Sequence, residues 1–273
     1  MEIKINGRTA DITIDNEKTV AEVMAGIEQW LSGSGHRLSG LSIDGQSADL
    51  SSLDIVFAKE IDTINTIDIL TMAITELAVI SIVNLLADID EFDNLSYDGR
   101  INFYTNWKER PQAVFALEQM PDLYSFFEAA FLNGALSSQT LRSITEERLR
   151  EIQTPVDEFS NLRPLLEETC TRLTDLPLDI QTGKDAKAAQ TIQIFSGITE
   201  KVFRVYKQLE IQGYIPETAA EKNLTQQIYD FNGMVKELLT AYEKNDTVLI
   251  GDLAEYEIAP RLAEIYNTAA GEK

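Results

Sequence analysis

The chain has 273 residues, 44% of them hydrophobic and 25% charged, which is the balance of a folded protein with material for one large or two modest cores. Its 23 basic residues stand against 45 acidic ones, a net charge of −22, and such a field opposes nucleic acid and anionic lipid, which bind through Lys and Arg that displace counterions. The single cysteine, Cys170, excludes an internal disulfide and suits a reducing compartment; with an amino terminus that lacks a basic and apolar leader, the sequence is read as cytoplasmic.

In chain order, Ile3 and Ile5 alternate with polar neighbours, Asn6-Gly7 follows, and Ile12 and Ile14 alternate again. Asn-Gly between alternating runs is a strong hairpin signal because both residues tolerate positive φ; Arg8 and Thr9 are assignable to either side of the turn. Thr19 with Glu22 forms a capping-box pattern, and Val20, Val23, Met24, Ile27, Trp30 and Leu31 then share one helical face up to Gly33-Ser34-Gly35. A short strand at Leu41–Ile43, an Asp44-Gly45 turn, an apolar loop (Leu50, Leu53, Val56) and a strand at Ile64–Leu70 complete the segment. Hairpin, helix, short strand, irregular turn and closing strand is the order of a β-grasp domain, and residues 1–72 resemble a ubiquitin-like domain. The resemblance implies a small sheet packed on one helix. Conjugation through a terminal Gly-Gly is not expected, because the chain continues far past the last strand.

The run Ile69–Leu86 has the length of a membrane span, but Glu76 and Asn84 interrupt it and acidic residues follow it without a Lys or Arg flank. Part of it is needed for the closing strand, so the rest is expected to be a buried central helix marked by Leu77, Ile80, Val83, Leu86 and Ile89. Helical spacing continues through Leu123–Phe131, from Ser138 through Ile152, and from Val156 to Leu173 with a kink or restart at Pro164. Leu176–Gly183 reads as a connector. Long helices are expected over Ala186–Ile211, over Glu217–Tyr242, and from an Asp246 cap onward with a bend at Pro260. The chain is therefore expected to be α+β: a β-grasp domain at 1–72, then an up-and-down helical bundle at 73–273 that meets it without a flexible linker.

Chemistry-bearing patterns are sparse. His36 is the only histidine and lies beside Arg37 in a Gly-Ser loop, so a di-iron bundle, a zinc site and a charge-relay triad all lack partners. Gly183-Lys184-Asp185 lacks the preceding Gly and following Ser or Thr of a phosphate loop. Asp88, Asp90, Glu91, Asp93 and Asp98-Gly99 have the composition of a calcium loop without its positions, and read as a solvated loop. Asp252 and Glu255 share a helix face with Tyr256 and are followed by Glu257; polar groups pinning this helix to Arg261 or Lys244, or an acidic docking face, suit them better than an acid–base pair. The Phe-rich stretch Leu123–Leu132, with Phe126, Phe127 and Phe131, offers an apolar stripe.

No cofactor, no metal and no enzymatic activity are expected. The pattern favours a non-catalytic acidic adaptor or chaperone-like protein whose helical domain binds a protein segment, basic or carrying an amphipathic helix, through Asp252, Glu255, Tyr256, Phe126, Phe127 and Phe131. Nucleic acid and membrane are not expected partners. A self-assembling structural subunit, and then a carboxylate-dependent enzyme, are the alternatives.

Overall fold

The computed structural model describes residues 1–14, 16–48, 53–215, 223–244 and 246–271. Residues 2–73 build a five-stranded sheet from β1 (Glu2–Ile5), β2 (Arg8–Thr9), β3 (His36–Ile43), β4 (Gln46–Ser47) and β5 (Thr66–Ala73), with α1 (Val20–Gly33), the short α2 (Leu53–Phe57) and a 3-10 turn at Ile61–Thr63 between strands. The strand order is β2-β1-β5-β3-β4, with β1 and β5 parallel and the other pairs antiparallel, which is a β-grasp-like arrangement.

Local chemistry accounts for these elements. Asn6 and Gly7 take φ of 51° and 74°, the left-handed pair that a two-residue hairpin turn needs. The Asn6 side chain also donates to Thr71 Oγ1 at 3.0 Å and accepts from the Thr71 amide at 2.8 Å, which ties the turn to β5. The Thr19–Glu22 capping box forms, with the Glu22 amide donating to Thr19 Oγ1 and the Thr19 amide donating to Glu22 Oε2. Register places Ile3 beside Ile67 and Ile5 beside Ile69, while Leu41 and Ile43 face Ile69 and Ile67 from the other side. One sheet face is thus aliphatic, and it packs on Val20, Val23, Met24, Ile27 and Leu31 of α1. Burial of each such side chain stabilises the fold by roughly 1.5–3 kcal/mol.

The hairpin's second arm differs from expectation. The ladder pairs Lys4 with Thr9 and Ile5 with Arg8, and ends where the Ala10 amide donates to the Ile3 carbonyl at 2.9 Å. Beyond Ala10 no ladder pairing to β1 continues, so Ile12 and Ile14 keep their alternation without a strand paired to them. The other two strands are longer than expected: β3 starts at His36 and β5 reaches Ala73.

β5 passes directly into α3 (Ile74–Asn94), followed by α4 (Tyr97–Trp107), α5 (Pro111–Gln119), α6 (Pro121–Phe131) and α7 (Ser138–Gln153). Contacts divide the chain into two compact units, 1–146 and 147–273, with the division inside α7. In α3 the buried residues are Ala78, Ser81, Ile82, Leu85, Asp88, Ile89 and Phe92. Of the stripe expected from spacing only Ile89 is buried, and Ile80 and Val83 are exposed. The helix carries apolar residues on several sides, so periodicity alone does not select the buried one. Among the described residues, no helix is long and apolar enough to cross a membrane.

The second unit contains α8 (Pro155–Asn161), α9 (Arg163–Gln181), α10 (Asp185–Ile211), α11 (Leu224–Glu243), α12 (Thr247–Asp252) and α13 (Ala259–Ala269), around a core that includes Leu166, Leu173, Phe195, Val202, Phe231, Leu238, Leu262 and Ile265. Pro164 sits in the first turn of α9 and restarts the helix after Leu162. Pro177 does not open a connector: α9 runs through it to Gln181. Gly251 of α12 lies against that proline, where an added Cβ would stand 3.1 Å from the ring. The expected start at Glu217 falls outside the described residues. At the carboxyl-terminal helix, Asp246 accepts from the Leu249 amide as a cap, and a π-helical turn at Leu253–Ile258 precedes Pro260. The wide turn closes through the Ala259 amide to the Ala254 carbonyl, and Pro260 has no N–H to extend it.

Candidate functional site

The site with the strongest claim to a partner lies beside the unpaired hairpin arm. A cleft of about 510 Å³ runs between residues 10–14 and α1, lined by Ile5, Ala10, Ile12, Ile14, Val23, Gly26, Ile27 and Trp30, with Asp11, Glu17 and Glu22 among its polar lining. None of the described residues that line it is basic. Its volume is within the usual range of binding clefts.

Sequence and fold combine to open it. The ladder to β1 stops at Ala10 and leaves residues 11–14 outside the sheet, while Ala10 and Ile14 still pack on the β-grasp core. On the opposite wall the apolar stripe of α1 is wider than the sheet it covers. Val23 and Ile27 are buried, whereas Trp30 is 59% exposed, and Ile12 across the cleft is 39% exposed. Gly26 keeps the wall between them low, since a Cβ there meets nothing within 4 Å. An exposed tryptophan beside an exposed isoleucine is the kind of anchor that dominates protein interfaces. The opposite face of the sheet is polar where Lys4, Ser42, Asp44, Thr66 and Asp68 come together.

The side chains singled out in the sequence are placed differently. Phe127 and Phe131 do not face a partner: they are buried with Phe92, Phe103 and Trp107 in an aromatic cluster. Their helix, α6, turns its apolar stripe inward, leaving only Phe126 at the surface, 37% exposed. Asp252, Glu255 and Tyr256 do share a surface, at and beside the π turn, and Tyr256 is 66% exposed. The hydrogen bond from the Tyr256 hydroxyl to Glu255 raises the phenol above its ordinary pKa.

The acidic run at 88–98 is not a solvated loop: Asp88, Asp90, Glu91 and Asp93 lie in α3 and hold helices together, and Asp98 lies in the first turn of α4. Asp88 is buried; it accepts from Trp107 Nε1 at 2.9 Å, from Arg110 Nη1 at 2.6 Å and from Gln112 Nε2 at 3.0 Å. Arg110 also forks onto Glu91 at 2.7 and 2.8 Å, which lowers the Glu91 pKa and raises that of the guanidinium. Arg142 reaches Asp90, and Ser138 donates to Asp93. Nearby, Tyr104 is pushed above the usual phenol range by burial and by its bonds to Tyr124 and Glu128. Among the described residues, no group of three or more His, Cys, Asp or Glu is placed to hold a metal ion.

Lys184 and Lys187 are turned toward Asp179, 3.3 and 2.7 Å away, so the Gly-Lys-Asp sequence closes a helix connection. His36 starts β3 and its Nδ1 lies 2.9 Å from the Ser34 carbonyl. Cys170 is half-buried, donates to the Ala259 carbonyl, and has its thiol pushed up to about 11 by burial first and by Glu167 second. Such a thiol is a weak nucleophile.

The sequence reading missed Ile12, Gly26 and Trp30 as site residues because it assigned Ile12 to a strand and Trp30 to a core stripe. The available signal was the breadth of that stripe, which ends on a tryptophan at the last turn of α1.

Comparison with known proteins adds two family-model matches: residues 1–73 match the model described as TP0873 N-terminal domain, and residues 157–268 match a domain of unknown function, DUF8042. The chain is also similar to an uncharacterized protein of Treponema pallidum (strain Nichols), 21% identical over 266 residues that span 97% of this chain and 94% of that protein. No solved structure matches.

Proposed function

We propose that this chain is a non-catalytic acidic adaptor, and that its ubiquitin-like amino-terminal domain holds a segment of a protein partner in the cleft between residues 10–14 and α1. One observation carries the reading: an apolar cleft with exposed Ile12 and Trp30 at its walls and carboxylates but no cation among its described lining residues. Apolar anchors ringed by one sign of charge suit a partner segment that is aliphatic and basic. The net charge of −22 speeds encounter with such a partner and opposes association of two copies of this chain. The single thiol supports a cytoplasmic setting. Relative to the sequence-based expectation, the adaptor role is kept and its docking surface moves from the helices to the β-grasp.

The experiment places a photo-crosslinking side chain at position 12 of the full chain, and separately at position 256, in native cell extract. One partner crosslinked from position 12, and lost at high salt, is the expected result. A partner crosslinked only from position 256 moves the surface back to the carboxyl-terminal helix. Crosslinks to further copies of this chain replace the adaptor with a self-assembling subunit.

A further inference from the structure

Residues 11–14 have the sequence of a strand and lack a strand's partner. Ile12 and Ile14 alternate with Asp11 and Thr13, as an edge strand does, yet the ladder to β1 stops at the Ala10 amide. Among the described residues, the backbone of 11–14 makes no hydrogen bond within the sheet or to any other segment. The sheet edge is thus continued by a stretch of open N–H and C=O groups, and that stretch forms one wall of the apolar cleft. Open backbone next to an apolar channel is what strand addition uses: main-chain bonds give affinity, and pockets for alternate side chains give selectivity.

We infer that the occupant of the cleft is an extended, lysine- or arginine-flanked aliphatic segment of a partner protein, added as a strand along residues 11–14. This rests on the docking reading above and specifies its chemistry. Alternate aliphatic side chains of the segment point into the space between Ile12 and Trp30 and reach the floor at Ile5, Val23 and Ile27. The flanking cations meet Asp11, Glu17 and Glu22, and of these Asp11 has no ion pair among the described residues. An amphipathic helix has no free backbone groups to pair with 11–14, so the strand is the better complement.

The probe is the peptide acetyl-Lys-Val-Ile-Val-Ile-Lys-amide, titrated into the full chain with amide exchange followed by NMR. The expected result is saturable binding that weakens with salt, and slowing of exchange at the amides of residues 11–14 by about tenfold or more. The same peptide N-methylated on alternate residues loses binding by a similar factor, because methylation removes the donors on one edge. Trp30→Ala and Gly26→Leu each weaken the unmethylated peptide by about tenfold or more while the fold is retained. Equal binding of the methylated and plain peptides, without protection at 11–14, overturns strand addition and leaves cleft docking standing. Absence of binding by either peptide overturns the inferred chemistry of the segment, and the crosslink from position 12 then decides the docking reading separately.

Discussion

The two tryptophans sit in environments that share ingredients and differ in bookkeeping of polar groups. Trp107 is fully buried, stacked on Phe127 with centroids 5.3 Å apart, and its indole N–H is spent on Asp88. Asp88 is in turn held by Arg110 and Gln112, so this carboxylate among rings is satisfied from within the chain. Trp30 lines an open cleft with carboxylates near it, exposed beside a backbone that pairs with nothing among the described residues. The contrast teaches that aromatic and acidic residues together do not by themselves distinguish a core from a surface cleft; burial and pairing do. Where all are paired, the same residue types make a core.

That contrast can be broken by substitution. Asp88→Ala strips the acceptor from Trp107, Arg110 and Gln112, and should cost about 3–5 kcal/mol, read as a lower denaturation midpoint in urea. A cost near zero would falsify the claim that this network is structural. Gly26→Ala should do the opposite at the cleft wall and stabilise the chain by about 0.5–1 kcal/mol. The residue is helical and its added methyl meets open space; destabilisation would mean that the wall is closed.

Glu91→Gln should cost less than about 1 kcal/mol, because half of that side chain is exposed. Its sign with pH is set by the lowered pKa. The pair's contribution is present above the ordinary carboxylate value of 4.5 and is lost as pH falls through the folded value. The melting temperatures of wild type and variant should therefore converge in acid, and a gap that widens there contradicts the Arg110 pairing. Trp30→Ala sharpens the comparison with the smallest effect on stability, within about 0.5 kcal/mol, while the proposed docking weakens by about tenfold or more. Its fluorescence partner test is Trp30→Phe: the remaining Trp107 emission should be shielded from acrylamide, and ready quenching would mean that the buried cluster opens.

Much of the first domain was legible. Asn6-Gly7, the Thr19–Glu22 box and Asp44-Gly45 are local signals whose physics lies within a few residues, and each forms as expected. The helical character of the rest followed from periodicity in the same way. The aromatic residues of α6 were misplaced because a stripe of Phe looks alike whether it meets a core or a partner. Pro177 reads as part of a connector in the sequence because its tolerance inside α9 depends on tertiary context, which includes Gly251 of a helix over seventy residues later in the chain. The cleft was not legible at all, since it exists through the register of β1 against β2.

By itself, then, the sequence determined the α+β class, the β-grasp element order, the helical remainder and the acidic field, because turn chemistry, capping, spacing and charge are properties of short segments. Tertiary structure alone decided which apolar stripes are covered and where the second hairpin arm loses its partner. Burial and strand pairing join residues far apart in the chain, and no local pattern records whether the opposite side of a pair is present.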